Sequence, residues 1–302
     1  MSVKTRRILR VALVAGCLCL GGEAAAQDAA YSPTFLATVR RAADVIPGER
    51  PVSVGVLTPD VFMISIAFMV EGGSSERVPA GHPAFQVRFP RGWIMVDASI
   101  DREIAKGDTT FSDERYRRIH EALRDARLSV VTHEHQDHVA GLIRSPFLAE
   151  VQRHALLTRA QMRVLLDKPN DPRIKLDSAT AARYLVVDYD PIMPIARGVV
   201  LIRAAGHTPG SQMVYVRLAS GRELVLAGDV AWHISGILTE RQKPEESTKG
   251  FGGEDRAAIG QQLHWLKELP PEIAVVPAHD QALIDQLIGR KVLRKGFDLA
   301  EK

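Results

Sequence analysis

The stretch THEHQDHVAG, residues 132–141, puts three histidines and two carboxylates within six consecutive positions, from His133 to His138. A solvated turn would account for any one of these histidines. The pattern His-x-His-x-Asp-His asks for more, because imidazole nitrogens and carboxylate oxygens are ligands that suit zinc and related first-row ions. Three other apolar runs end the same way, in a small residue followed by a metal-competent side chain: His207 after VVLIRAAG, Asp229 after ELVLAG and His279 after IAVVPA. Ligands in α/β folds bind beyond the carboxyl ends of strands, so these four points are expected to meet.

The flanking sequence supports that placement. SDERYRRIHEALRDAR reads as a helix with a serine near its start, and LSVVTHEH follows as a buried strand that delivers the histidine cluster. Upstream, SPTFLATVRRAADVI reads as an amphipathic helix that ends before Pro47-Gly48. VSVGVL, VFMISIAFMV, AFQVRFP and GWIMVDAS are short β-rich runs that suggest a first sheet. Downstream, YLVV, GVVLIRAAG, QMVYVRL and ELVLAGD are strands in succession. A helix around EDRAAIGQQLHWLKEL, the strand IAVVPAHD and a final helix QALIDQLIGRKVL complete the second half. With no linker or tandem repeat in view, one domain over residues 27–302, made of two packed sheets flanked by helices, is expected. Two polar, Gly-containing stretches, EGGSSERVPAGH at 71–82 and ERQKPEESTKGFGG at 240–253, read as surface loops that could wall the mouth of a site.

The chain of 302 residues is 46% hydrophobic and 25% charged, an ordinary globular composition that excludes general disorder. Residues 1–26 differ: a basic start MSVKTRRILR, the apolar VALVAGCLCL and the small residues Ala24, Ala25 and Ala26 before Gln27 form a secretory signal. Its apolar stretch is too short for a stable membrane span, so a periplasmic or secreted protein without a transmembrane helix is expected. Val14-Ala15-Gly16-Cys17 also fits a lipobox, and Arg6-Arg7 resembles a twin-arginine signal, which leaves the export route open. Losing Lys4, Arg6, Arg7 and Arg10 against Glu23 makes basic and acidic side chains equal in number, which argues against a nucleic-acid partner. Both cysteines, Cys17 and Cys19, lie in the same segment, so any metal in the mature chain rests on histidine and carboxylate.

Taken together, His133-x-His135-x-Asp137-His138, Gly206-His207-Thr208-Pro209-Gly210, Gly228-Asp229 and Ala278-His279 resemble the metallo-β-lactamase superfamily over roughly residues 52–290. The resemblance implies an αββα sandwich of two mixed β-sheets with a two-metal site along one edge. It implies that His133, His135 and His207 hold one zinc, that Asp137, His138 and His279 hold the second, and that Asp229 bridges them. Iron or manganese suits the same nitrogen and oxygen set. Two such cations lower the pKa of a water held between them and polarise a substrate carbonyl. Asp137 is expected to orient that water and pass a proton to the leaving group. Asp97, in WIMVDAS, matches an aspartate of the family and is expected to be structural.

Within the superfamily the bridging-aspartate pattern resembles that of lactonases and glyoxalase II. Third-subclass β-lactamases carry serines after that aspartate, where this chain has Val230, Ala231 and Trp232. Lactonases usually place a tyrosine at the position of Trp232, whose indole can also donate a hydrogen bond. The expectation is therefore an exported hydrolase acting on a lactone or other ester of a small-molecule substrate, with Trp232 and His233 as substrate residues. The alternatives are a β-lactamase, a thioester or phosphodiester hydrolase, and a catalytically silent metal-binding protein. His82, His120, His154 and His264 have no ligand-bearing neighbours in sequence and read as ordinary histidines. The oligomeric state is not legible.

Overall fold

The computed structural model describes residues 30–105 and 110–299. The stretch expected to be a signal, residues 1–26 with Cys17 and Cys19, lies outside them. Among the described residues no helix is long and apolar enough to cross a membrane.

Two mixed sheets form the centre. The first contains β1 (Ser53–Leu57), β4 (Ala84–Arg88), β5 (Trp93–Val96), β6 (Leu128–Val130), β7 (Ala155–Thr158), β8 (Leu185–Val187) and β14 (Arg294–Lys295), in the order β14-β1-β4-β5-β6-β7-β8. Its β1, β4 and β5 are antiparallel neighbours, while β5 to β8 run parallel. The second contains β9 (Ile192–Ala196), β10 (Val199–Arg203), β11 (Gln212–Arg217), β12 (Glu223–Gly228) and β13 (Ala274–Pro277), in the order β13-β12-β11-β10-β9.

Burial explains why these strands read as continuous apolar runs. Val54, Val56, Val87 and Val130 of the first sheet share one buried cluster with Leu201, Val214, Val216 and Leu226 of the second, so each sheet turns one face to the other. The outer faces are covered as well. Helices Asp113–Arg124, Gln136–Ile143 and Arg159–Asp167 pack on the first sheet through Ile119, Leu123, Leu142 and Leu165. Helices Phe35–Ala42 and Arg256–Lys267 pack on the second through Phe35, Val39, Ile259 and Trp265. The layers are helix, sheet, sheet, helix, the expected αββα sandwich, and burial on both faces selects apolar residues in the central strands, while the edge strands β8 and β14 are largely exposed.

One expected strand is different. The run VFMISIAFMV divides into β2 (Val61–Ser65) and a helical turn Ile66–Met69, and β2 pairs only with β3 (Arg77–Gly81), which lies within the stretch expected to be loop. This two-stranded hairpin belongs to neither large sheet. Its apolar content serves a cavity wall, with Phe62 and Ile64 on one face and Met63 on the other, 48% exposed. LSVVTHEH is also shorter as a strand than expected. Pairing stops at Val130, because the Thr132 amide is drawn off the ladder by Asp97 Oδ1, 2.6 Å away.

Candidate metal centre

The four ligand-bearing stretches follow β6, β10, β12 and β13, and they converge on one edge of the sandwich. His133, His135 and His207 form one group; Asp137, His138, Asp229 and His279 form a second. Within each group the potential ligand atoms all lie within 4.8 Å of one another. Asp229 stands between the groups. Its Oδ2 is 3.3 Å from His207 Nε2 and 3.8 Å from His133 Nε2, while its Oδ1 is 3.3 Å from His138 Nε2 and 3.2 Å from His279 Nε2. Asp137 Oδ2 faces His138 Nε2 at 3.6 Å and His279 Nε2 at 3.5 Å.

Tight local packing holds these positions. Gly228 has φ +54°, and a Cβ there would fall 2.8 Å from Thr132 Cβ, so only glycine lets Asp229 approach the histidine loop. At Gly210 a Cβ would meet Glu134 Oε2 at 2.4 Å. The buried Glu134 carboxyl instead accepts hydrogen bonds from Thr208 Oγ1 and the Gly210 amide, joining the first histidine motif to the loop of His207. Burial pushes the Glu134 carboxyl above its ordinary range.

Each imidazole that offers Nε2 is fixed through its other nitrogen. His138 Nδ1 lies 3.0 Å from Asp97 Oδ2, His279 Nδ1 lies 2.8 Å from the Gly81 carbonyl oxygen, and His207 Nδ1 lies 2.5 Å from Glu254 Oε1. For His133 the neighbour at Nδ1 is the Thr132 hydroxyl, at 3.3 Å. Such contacts set tautomer and ring orientation in metal sites. Asp97 thus has the structural part expected of it, and it adopts φ +60°, a conformation that non-glycine residues rarely hold without compensating contacts. Glu254 and its partner Lys243 have no counterpart in the sequence reading. Lys243 Nζ sits 2.8 Å from Glu254 Oε1, with both side chains about 1% exposed, and also donates to the carbonyl oxygens of Asp229 and Val230.

These residues fit a pair of cations. His133 Nε2, His138 Nε2 and Asp229 Oδ1 are buried atoms without a hydrogen-bond partner, a costly arrangement that a cation relieves. Burial disfavours charge in both groups, and the neighbours decide the outcome. Burial and the neighbouring imidazoles push His133 well below its ordinary value and His135 down to about 3, leaving neutral rings with lone pairs to offer. In the second group burial also disfavours charge, but the imidazoles of His279, His138 and His133 outweigh it and hold the Asp229 carboxyl well below the usual carboxylate range. Asp137 is lowered likewise, by His138, His82 and His279 against its burial.

Beside Asp137 and His279 opens a cavity of about 190 Å³ walled by Phe62, Ile64, Phe68, Met69, Trp232 and Phe251. Both stretches expected to wall the mouth contribute, through Ala80 and His82 from the first and Phe251 from the second. No lysine or arginine lines it among the described residues. A cleft of about 620 Å³ gathers the starts of β5 and β6 between Arg91, Arg127 and Arg197, away from every ligand residue, so size alone does not locate the site.

The two expected substrate residues, Trp232 and His233, are placed differently. Trp232 does line the cavity, stacked on Phe68 at 5.7 Å, but its indole N–H donates to Asp229 Oδ2 at 2.7 Å and is not offered to a substrate. His233 is outside the cavity lining. It caps helix Ile234–Thr239 by accepting from the Ser235 amide, and its Nε2 lies 3.5 Å from Asp280 Oδ2. The turn after Asp229 carries successive side chains to opposite sides, so nearness in sequence misleads there. Conversely, His82, read as ordinary, lies in the cavity lining with Nε2 3.7 Å from Asp137 Oδ2. A signal was present: Ala80-Gly81-His82 repeats the wording of Ala205-Gly206-His207.

The helix–sheet–sheet–helix order with this centre on its edge is the metallo-β-lactamase fold. No protein-family model matches the sequence, and no curated protein matches it. Solved structures do. An N-acyl homoserine lactone hydrolase superposes with a TM-score of 0.62 at 14% identity, covering 83% of this chain and 100% of its own. A dizinc quorum-quenching lactonase in complex with a product gives 0.55 at 14%, covering 78% and 92%. A probable metal-dependent hydrolase from Staphylococcus aureus gives 0.57 at 12%, covering 78% and 91%.

Proposed function

We infer that this protein is a dinuclear metal-dependent hydrolase of the metallo-β-lactamase superfamily that cleaves carboxylic esters, with lactones bearing an uncharged, apolar substituent as its substrate class. The observation that carries this is the pair of ligand groups on either side of Asp229, opening onto an apolar cavity with no lysine or arginine among the described residues that line it. His133, His135 and His207 would hold one cation and Asp137, His138 and His279 the other, with Asp229 shared. Zinc is the first choice and iron or manganese fit the same donors. When bound, two such cations supply an activated water at neutral pH and an electrophile for a carbonyl oxygen.

The chain's own residues do the rest. Asp137, at the boundary between the second ligand group and the cavity, orients the attacking water and takes its proton. Phe68, Trp232 and Phe251 exclude water from the acyl part and favour apolar groups by burying them. The lack of a lysine or arginine among the described residues of the lining disfavours substrates held by a carboxylate or phosphate, such as β-lactams, S-acyl glutathiones and phosphodiesters. The similarity to lactonase structures supports the lactone class, and the N-terminal leader supports work outside the cytoplasm.

A parallel assay of the zinc-loaded protein on N-acyl homoserine lactones, simple γ-lactones, a chromogenic cephalosporin, S-lactoylglutathione and a nitrophenyl phosphodiester tests this. Lactones carrying an acyl or alkyl chain are expected to be cleaved fastest. Hydrolysis confined to the cephalosporin or the phosphodiester would overturn the proposal.

A further inference from the structure

We propose that His82, oriented by Asp60, is a further catalytic residue of this site: it carries the proton to the departing alkoxide of the ester. This rests on the ester-hydrolase reading above and assigns a residue outside the seven ligands.

The placement is specific. Gly81, the last residue of β3, accepts a hydrogen bond from His279 Nδ1 through its carbonyl oxygen, so the backbone step that anchors a metal ligand also delivers His82. The Ser99 hydroxyl fixes the His82 carbonyl oxygen at 2.6 Å. On the ring, Nδ1 lies 2.5 Å from Oδ2 of Asp60, which is 1% exposed. Phe62 and His279 hold the ring from two sides, with centroids 5.2 and 5.4 Å away. A carboxylate placed on Nδ1 fixes the tautomer and leaves Nε2 to accept and release a proton, the same division of labour as in a His–Asp pair of a hydrolase triad. Nε2 is aimed at Asp137 Oδ2, 3.7 Å away, from the cavity side. That separation is longer than a direct hydrogen bond, and both groups line the cavity, so a leaving oxygen held there would lie within reach of each.

Asp60 also accepts a hydrogen bond from the His82 backbone amide at 3.4 Å, so one buried carboxylate holds both the backbone and the ring of His82, which offsets the cost of burying it. Of the other polar side chains of the wall, Asp137 and His279 belong to the ligand groups and Trp232 has its N–H committed to Asp229. His82 is therefore the group on the cavity side with a nitrogen to offer a leaving group.

Protons and electrons balance in this step. A water oxygen bonds to the ester carbonyl carbon, and one proton of that water passes through Asp137 to the free Nε2 of His82, whose Nδ1–H stays on Asp60. The bond from that carbon to the ester oxygen then breaks, its electron pair goes to the departing oxygen, and the proton on His82 Nε2 goes with it, which returns both side chains to their starting state. One water is consumed, and an alcohol and a carboxylic acid are produced.

A basic alkoxide needs this proton and a nitrophenolate does not, so the test compares leaving groups. Zinc-loaded wild type, His82→Gln and Asp60→Asn are assayed on a lactone and on a p-nitrophenyl ester of matched acyl chain, with zinc content measured for each. The lactone-to-nitrophenyl rate ratio is expected to fall about 100-fold in His82→Gln, the size of a general-acid contribution. Asp60→Asn should lower the ratio less, and both variants should keep the wild-type zinc content. An unchanged ratio, or a loss of zinc in His82→Gln that accounts for the rate, overturns the role of His82 alone. Wild type that cleaves neither ester overturns the hydrolase reading and this role with it.

Discussion

At the scale of single residues, a local grammar exposed the ligands, and contacts made only by folding hid their supports. His133, His135, Asp137 and His138 sit within one decapeptide, and His207, Asp229 and His279 each follow an apolar strand through a small residue. Glu254 carries no such mark. It stands in a polar stretch before a helix, and nothing local says that its Oε1 meets His207 Nδ1 or that buried Lys243 completes the pair. Burial disfavours the charged Glu254 carboxylate, but hydrogen bonding from His207 and the charge of Lys243 outweigh it and lower its pKa. Glu254→Gln keeps the shape and removes the charge. Metal affinity measured by chelator competition should fall about 10–100-fold, the usual effect of losing a carboxylate behind a metal-binding histidine. Unchanged affinity would make Glu254 a mere packing group.

Among the elements, the hairpin of β2 and β3 was the least legible. VFMISIAFMV is apolar at nearly every position, which hides the alternation of period two that marks a strand with one working face. In the structure Phe62 and Ile64 face the cavity, Met63 faces solvent, and the chain then turns helical to bring Phe68 onto Trp232. The strands of the two large sheets were legible because burial on both faces leaves continuous apolar runs. If the hairpin and its helical turn form the substrate wall, Phe68→Ala should raise KM for long-chain lactones several-fold more than for short-chain ones. Each step along the chain-length series should follow the apolar surface that the variant leaves in water, about 0.8 kcal/mol per methylene. Metal content should not change, because Phe68 is outside both ligand groups and stacks on Trp232. Equal effects on all chain lengths would remove the wall from substrate recognition.

On the scale of the whole molecule, the sandwich makes the centre. Residues from four strand ends, spread from His133 to His279, meet only because both sheets bring those ends to one edge, and Asp229 lies where the two ligand groups touch. The layered architecture was readable from the strand and helix succession. The direction of side chains at that edge was not, which is why His82 lies in the cavity lining and His233 outside it. The central claim is a pair of cations straddling Asp229, and metal stoichiometry tests it most directly. Purified wild type loaded with zinc and freed of excess should hold two ions per chain by elemental analysis, and Asp229→Ala at most one, with ester hydrolysis lost. Wild type that binds no more than one ion, or an Asp229→Ala variant that holds two and stays active, would contradict it.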